Sequence, residues 1–181
     1  MRGWRRTLRP LLATLALFYL IAMTVSGAMP VQRQLVRFEA AGVLKIPPER
    51  VVRVELSRGT QHVTLLRKGE KRWVTSDGAD SGAAGGRVST AVQMMRNSGP
   101  VREMQAADLA GIDAAPFGLD PPQLSAALYG EGSEPILTAR FGERNPDGYL
   151  QYMRIDGDAQ LYLMSRFIGG EWSEAMTAAA R

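Results

Sequence analysis

The chain of 181 residues contains no cysteine and a single histidine. Without cysteine it forms no disulfide, no iron–sulfur cluster and no thiolate metal site. His62 alone cannot supply the several converging ligands of a metal site. For a catalytic triad it would need a nucleophile and an acid placed around it by the fold. We therefore expect His62 to be a surface residue, and we expect no metal and no cofactor.

The familiar catalytic motifs are also missing. No Gly-x-Ser-x-Gly elbow occurs. The stretch Gly78–Gly86 lacks the Gly-Lys-Ser/Thr end of a phosphate-binding loop, so a flexible connection into a helix is the better interpretation. Asp156-Gly157-Asp158 begins like a calcium loop but lacks the later acids, which predicts a hairpin turn. The sequence predicts a protein that is not an enzyme.

Three acids lie close together in sequence, Asp108, Asp113 and Asp120. Paired carboxylates can act as acid and base. Asp108, however, has the position of a residue at a helix N-terminus, and Asp120 precedes Pro121 as a turn residue. We interpret both as structural.

Basic residues are concentrated at the N-terminus. The chain has 22 Lys and Arg against 18 Asp and Glu, and Arg2, Arg5, Arg6 and Arg9 all precede the first acid, Glu39. The rest of the chain therefore has equal numbers of bases and acids. No basic surface for phosphates is predicted, and we expect no nucleic-acid partner.

An apolar run, Leu11–Met29, contains no charged residue. As a helix it would reach roughly 28 Å, close to the ~30 Å hydrocarbon core of a bilayer. The four arginines ahead of this run place the N-terminus in the cytoplasm and the rest outside. The sequence thus predicts a single-pass anchor in a bacterial inner membrane: a cytoplasmic flank at 1–10, the span at 11–29, and a periplasmic C-terminal part.

The end of this run also fits a signal-peptidase site, since Ser26 and Ala28 are small residues at the preferred spacing. Cleavage after Ala28 is the alternative, and it would leave the mature protein soluble. The run is longer than the apolar core of a usual signal peptide, which favours retention. Four small residues near its outer end, Ala22, Thr24, Ser26 and Ala28, would allow close packing on another membrane helix.

The next segment, 30–48, is predicted to be a juxtamembrane amphipathic helix and a linker. Val31, Leu35 and Phe38 recur at helical spacing among polar residues. They are candidates for contact with a partner or with the membrane surface. Packing on the following domain is the alternative.

Residues 49–181 predict one α+β domain with an antiparallel sheet. Alternating segments indicate three strands in the first half and four in the second, with glycine-containing turns between them, and a further short strand is expected from Val101, just ahead of the helix near Ala106. Helices are expected from Val88 to Asn97, near Ala106 and from about Arg166 to Ala179. Each half has a β-meander followed by a helix, and a duplication is one explanation.

Aromatic residues gather in the last third of the chain and could line a binding groove: Tyr149, Tyr152, Tyr162, Phe167 and Trp172. Two neighbouring strands with period-two spacing have one core face and one free face. We take Tyr152 and Tyr162 as the candidates for contact with a partner on the free face.

The segment "FGLDPPQLSAALYG" carries Gly118-Leu119-Asp120-Pro121 ahead of a strand, followed by "FG", a turn, "YLQY" and an apolar strand. With "VVRVELSRG" and "VTLLRKGEKRWVT" upstream, this pattern resembles a large bacterial family of membrane-anchored exported proteins. The family is designated a domain of unknown function and is often encoded beside gliding-motility-type ABC transporter components. The resemblance covers about residues 51–179. Phe117 stands where the family usually has tyrosine, and only one copy of the domain is present.

The resemblance implies an anchored extracytoplasmic module that accompanies other membrane proteins, and it carries no catalytic residue onto this chain. The motif also has a local interpretation. Gly118 is expected to end the preceding helix in a left-handed conformation, and Pro121-Pro122 to force an extended entry into the next strand.

These observations favour a non-catalytic, membrane-anchored periplasmic accessory or scaffold subunit whose partners are other inner-membrane protein subunits. The alternative is a solute- or lipid-binding module serving an ABC-type transporter. A deep apolar pocket with a few converging polar groups would favour that alternative.

Overall fold

The computed structural model describes residues 4–25, 41–70, 72–113 and 115–180. The chain divides into two units, Met1–Phe38 and Glu39–Arg181. The described part of the first unit is one helix, α1 (Trp4–Val25). It begins ahead of the predicted span at Leu11, and residues 26–29 of that span lie outside the described residues.

The second unit is built on one antiparallel sheet of eight strands. Its strand order is β3-β2-β1-β5-β6-β7-β8-β4. The strands are β1 (Arg53–Arg58), β2 (Gln61–Arg67), β3 (Trp73–Thr75), β4 (Arg102–Met104), β5 (Leu124–Tyr129), β6 (Pro135–Arg144), β7 (Leu150–Ile155) and β8 (Leu161–Ser165). With helices α2 (Ala83–Asn97) and α3 (Arg166–Ala179), this confirms the predicted α+β class with an antiparallel sheet.

The two helices pack on one face of the sheet and on each other. Val54 and Leu56 of β1 alternate with polar neighbours and are buried against this layer. Phe141, Trp73 and Trp172 are the largest side chains in the same core. Neither of these two helices of the second unit lies on the opposite face of the sheet.

The topology joins two meanders edge to edge. β1, β2 and β3 form the first meander and lead into α2, whereas β5 to β8 form the second and lead into α3. Strands β1 and β5 pair from Arg53↔Tyr129 to Ser57↔Ser125, which makes the two meanders one sheet. Strand β4 belongs to the first half of the sequence but pairs with β8, so it forms the edge of the sheet beside the second meander.

Helix α2 begins five residues before the predicted start at Val88. The glycine-rich stretch was expected to be a flexible connection, but Ala83–Gly86 forms the first turn of α2. The reason is tertiary packing: a Cβ on Gly85 would lie only 3.1 Å from the Trp73 Cβ. The absence of a side chain lets the helix approach Trp73, and this packing outweighs the low helix propensity of glycine.

The prediction of a helix near Ala106 is wrong. The backbone there forms successive turns, with Asp108 N donating to Gln105 O at 3.0 Å and Ile112 N donating to Leu109 O at 3.0 Å. Asp108 therefore does not cap an α-helix. Its carboxylate accepts a hydrogen bond from the backbone N–H of Gln105 at 3.1 Å and closes this turn.

The described part of the second unit begins at Ala41, within the stretch 30–48 that was predicted to be a juxtamembrane helix and a linker. Leu44 has no exposed surface and belongs to the core cluster. A short 3-10 turn, Pro48–Arg50, then leads into β1. The stretch interpreted as a linker is thus partly a structural element of the domain.

Candidate functional site

Helix α1 contains two of the predicted partner-contact residues, Ala22 and Thr24, and both are exposed. The Thr24 hydroxyl donates to the carbonyl oxygens of Ile21 at 2.8 Å and Leu20 at 3.0 Å, so it is used within the helix. The other five candidates of this region lie outside the described residues: Ser26, Ala28, Val31, Leu35 and Phe38.

The large side chains of α1 between Leu12 and Met23 are apolar and exposed on every side of the helix, with Phe18 at 71% and Leu15 at 64% exposure. Within the part of the chain that the structure describes, no helix meets the length and hydropathy expected of a membrane span.

Tyr152 and Tyr162 were expected to share the free face of the sheet, and the structure does not bring them together there. Tyr152 of β7 pairs with Leu163 of β8, whereas Tyr162 pairs with Met153. Residues directly opposite in an antiparallel pair point to the same face, and neighbours along a strand point to opposite faces. Tyr162 therefore belongs to the helix-covered core, with 7% exposure, and Tyr152 to the other face.

The hydroxyl of Tyr162 has a fixed partner, since it donates to the carboxylate of Asp158. Burial raises the pKa of Tyr162 far above its usual range, and the hydrogen bond to Asp158 adds to this. The same bond lowers the pKa of Asp158, with help from the backbone N–H of Gln160. The pair fixes the β7–β8 connection and leaves no free hydroxyl for a partner.

Tyr152 is half-buried because the motif segment packs on it. The rings of Phe117 and Tyr152 lie 4.8 Å apart at an interplanar angle of 54°. Gly118 follows with φ 61°, which confirms the left-handed end predicted for the preceding short helix. Asp120 lies in a turn and forms a cis peptide bond with Pro121. The Gly-Leu-Asp-Pro motif thus lies in a loop whose first residues pack on β7 of the second meander.

Of the five aromatic residues in the last third of the chain, two remain available to a partner. Trp172 is fully buried, whereas Tyr149 is 72% and Phe167 64% exposed. Arg166 N donates to Tyr149 O at 3.2 Å, so the two exposed residues stand on neighbouring segments at the start of β7 and of α3. We call Tyr149 and Phe167 the exposed aromatic pair.

The chain enters the domain at the end of α2. Gly42 N donates to Arg96 O and Leu44 N to Met95 O, both at 2.9 Å. The guanidinium of Arg96 donates in turn to the carbonyl oxygen of Lys45 at 2.7 Å. These bonds use carbonyl groups that the end of a helix leaves free, and they tie residues 42–45 to α2.

Arg67 holds the segment that follows, from Pro48 to Val51. Its guanidinium donates to Val51 O at 2.7 Å and to Pro48 O at 2.9 Å, and it lies 4.5 Å above the Trp73 ring. Burial lowers the pKa of this arginine. The side chain connects the 3-10 turn at Pro48 to strand β2 and closes one end of the core.

On the face without helices, a small network spans β1 and β5. Arg53 lies 3.8 Å above the Tyr129 ring, and the Tyr129 hydroxyl donates to Glu55 at 2.8 Å. That hydrogen bond is the main reason why the pKa of Tyr129 is raised. All three side chains are half-buried and have partners, so the network resembles a structural surface more than a reactive site.

Three cavities in the described part of the domain have linings in which most residues are polar. One of about 410 Å³ runs along α2 from Gly86 to Ser98, and one of about 270 Å³ lies between Arg58, Gln151 and Ser173. A third, of about 460 Å³, includes His62, Thr75 and Asp77. None of these three is the deep apolar pocket that a solute- or lipid-binding module would need.

His62 is an exposed residue of β2. The carboxylates suspected of chemistry have local roles: Asp113 accepts from the backbone N–H of Ala115 at 3.0 Å. Across residues 4–25, 41–70, 72–113 and 115–180, no group of three or more His, Cys, Asp or Glu is arranged to hold a metal ion.

The chain matches no family model, no curated protein and no solved structure.

Nothing in the sequence indicated that Gly42 and Leu44 attach the start of the domain to the end of α2. A segment of three or four residues that packs on a helix far away in the chain has no periodic pattern. Sequence reasoning also missed the separation of the aromatic residues into buried and exposed ones. The alternation along β7 and β8 was visible, but the register between the two strands was not.

Proposed function

We propose that this protein is a non-catalytic, membrane-anchored accessory subunit of a bacterial inner-membrane complex. Its N-terminus would lie in the cytoplasm and its α+β domain in the periplasm. The observation that carries the proposal is the exposed apolar surface of α1 from Leu12 to Met23, joined to a folded domain. A helix that is apolar all round is stable when lipid or protein surrounds it.

The sequence on either side of α1 supports this topology. The uncharged run continues to Met29, and four arginines precede it, whereas two, Arg33 and Arg37, follow it closely. Three of the side chains with shifted pKa values, Tyr162, Asp158 and Tyr129, are held in structural hydrogen bonds. A scaffold role therefore fits the domain better than turnover.

Membrane anchoring is tested by intact mass and by extraction. We expect residues before Met29 to be present in protein extracted from membranes, and the protein to stay with the membrane in alkaline carbonate. A mature chain beginning at Met29, or release into the soluble fraction, would contradict the anchor.

The contact with the partner subunit is tested by enlarging two small residues. Replacing Ala22 and Ser26 together by Leu should release the protein from its complex in mild detergent while it remains inserted, because close helix packing depends on small side chains. A matched control is Ala16→Leu with Ala13→Leu, nearer the cytoplasmic end. If both double variants recover the complex in full, the contact lies on the domain instead.

A further inference from the structure

The cavity of about 270 Å³ lies where the ends of three strands meet under helix α3. Strand β1 ends at Arg58, and its antiparallel neighbour β5 begins at Leu124, so both residues stand at the same end of the sheet. Strand β7 contributes Gln151 near its start, and α3 contributes Gly169 and Ser173. The lining therefore combines residues from four elements of the second unit.

Arg58 is the one charged side chain among the described residues of this lining. It follows Val54 and Leu56 at every second position of β1, which places it on the helix-covered face. Its Nη2 group donates to the Ser173 hydroxyl oxygen and, at 3.3 Å, to the Ser173 carbonyl oxygen. The N–H groups on Nε and Nη1 have no acceptor in the part of the chain that the structure describes.

The acids of the neighbouring elements have other partners and do not neutralise this arginine. Glu171 and Glu174 of α3 form ion pairs with Arg87, at 2.9 Å and 2.7 Å. Glu55 of β1 lies on the opposite face of the sheet, where it accepts from the Tyr129 hydroxyl. The guanidinium in the cavity therefore has no ion-pair partner among the described residues.

One further acid adjoins the lining without belonging to it. Glu143 accepts a hydrogen bond from the side-chain amide of Gln123, an exposed member of the lining. The Glu143 side chain lies against Gly118 in the motif loop. Its carboxylate is thus at the rim and leaves the interior of the cavity with a single positive group.

Gln151 supplies an acceptor to the same cavity. Its Nε2 donates to the carbonyl oxygen of Gly142 at 2.9 Å, and this bond fixes the orientation of the amide. The Gln151 Oε1 atom consequently points to Gly169, where a Cβ would lie only 2.0 Å from it. No described residue donates to this oxygen. Glycine at position 169 keeps the space beside it open.

We propose that this cavity binds a small organic acid that carries a hydroxyl group beside its carboxylate. The carboxylate accepts charge-assisted hydrogen bonds from Arg58, whose planar guanidinium suits such an anion, and the hydroxyl donates to Gln151 Oε1. The volume is below the ~300–1,000 Å³ of sites for drug-sized ligands, so it fits an acid of a few carbon atoms. The inference goes beyond the proposed accessory role and does not depend on the anchor, because the lining belongs to the second unit alone.

The ligand class is tested by isothermal titration calorimetry of the full chain in mild detergent. The probes are L-lactate and glycolate. Lactamide has a similar shape to lactate but no negative charge, propionate lacks the hydroxyl, and inorganic phosphate is an anion of another geometry. We expect saturable binding of both hydroxy acids, several-fold weaker binding of propionate, and affinities at least about tenfold lower for lactamide and phosphate.

The site is tested by a conservative substitution. Arg58→Lys keeps the positive charge but loses the planar set of donors, and it should weaken lactate binding at least about tenfold. Arg72→Lys is the matched control, because Arg72 is exposed and lies outside the lining. Circular dichroism shows whether each variant is folded.

A second measurement needs no variant. Phenylglyoxal modifies arginine side chains, and mass spectrometry locates the modified positions in the native sequence. Lactate should slow the modification of Arg58 several-fold and leave that of Arg72 unchanged.

Four results would overturn the proposal: no saturable binding of either hydroxy acid, unchanged binding by a folded Arg58→Lys protein, no protection of Arg58, or lactamide binding as tightly as lactate. Phosphate binding more tightly than lactate would assign the site to an inorganic anion and would also overturn it. Because carbonate extraction measures the anchor separately, failure of the ligand site and failure of the proposed function are distinguishable.

Discussion

The backbone nitrogen of Gly42 donates to the carbonyl oxygen of Arg96 at 2.9 Å, although 54 positions separate the two residues. The contact is close: a Cβ on Gly42 would overlap the carbonyl oxygens of Met95 and Arg96. Only glycine allows the entering chain to approach the end of α2 in this way. The start of the domain is thereby joined to its core through backbone atoms.

Gly42→Ala should therefore destabilise the domain by about 1–3 kcal/mol, because the new methyl group forces the entry segment away from α2. Urea unfolding of the full chain in mild detergent, followed by the fluorescence of the buried Trp73 and Trp172, measures this loss. Gly69→Ala is the control, since nothing lies within 4 Å of its Cβ. Its effect should stay within about 0.5 kcal/mol, and an equal loss in both variants would argue against the close approach.

The Phe117–Tyr152 contact should show a coupling free energy of about 0.5–1.5 kcal/mol in a double-mutant cycle with leucine at each position. The reason is that the two rings lie 4.8 Å apart and hold the motif loop on the sheet. Phe117→Tyr keeps the ring and should preserve the coupling. Additive effects of the two leucine substitutions would show that the loop is held by other contacts.

Arg67→Lys should cost about 1–3 kcal/mol, because lysine keeps the charge but cannot donate to Val51 O and Pro48 O together while covering Trp73. Arg72→Lys provides the control: its side chain is 69% exposed and its ion pair with Asp80 is long, at 3.7 Å. That change should be nearly neutral. The same urea titration compares the two, and similar midpoints for both variants would refute the role of Arg67.

Stability should decline in alkali because of Tyr162. Its pKa is raised in the folded state by burial and by Asp158, whereas a tyrosine in the unfolded chain ionises near pH 10. The native state therefore keeps a proton that the unfolded state loses, and the stabilisation is complete below about pH 10 and falls as the pH rises above it.

Tyr162→Phe should remove this contribution, so its stability should fall less between pH 9 and pH 11 than that of the native sequence. Tyr129 also has a raised pKa, because of its hydrogen bond to Glu55, but it is present in both proteins and cancels in the comparison. Unfolding free energies at several alkaline pH values provide the measurement. Parallel curves for the two proteins would mean that Tyr162 ionises as freely when folded as when unfolded.

Local sequence patterns were sufficient to predict most of the strands, turns and helices in the second half of the chain. The alternation in Leu124–Tyr129, the turn residues around Asp156-Gly157 and the apolar spacing after Ser165 each predict an element that the structure contains, and α3 spans Arg166–Ala179 as expected. The left-handed Gly118 was predictable for the same reason. In each case the determining interactions lie within a few residues.

The sequence by itself determined the apolar N-terminal run, the strands with clear alternation and the lack of metal-binding or nucleophilic motifs. Tertiary structure alone decided three further points: the pairing of β1 with β5, the start of α2 at Ala83 and the burial of Tyr162 opposite Met153. These depend on contacts between segments far apart in the chain, where cross-strand register and helix packing select the face of each residue. A one-residue change of register between β7 and β8 would have put Tyr162 on the free face with Tyr152, because side chains alternate with a period of two.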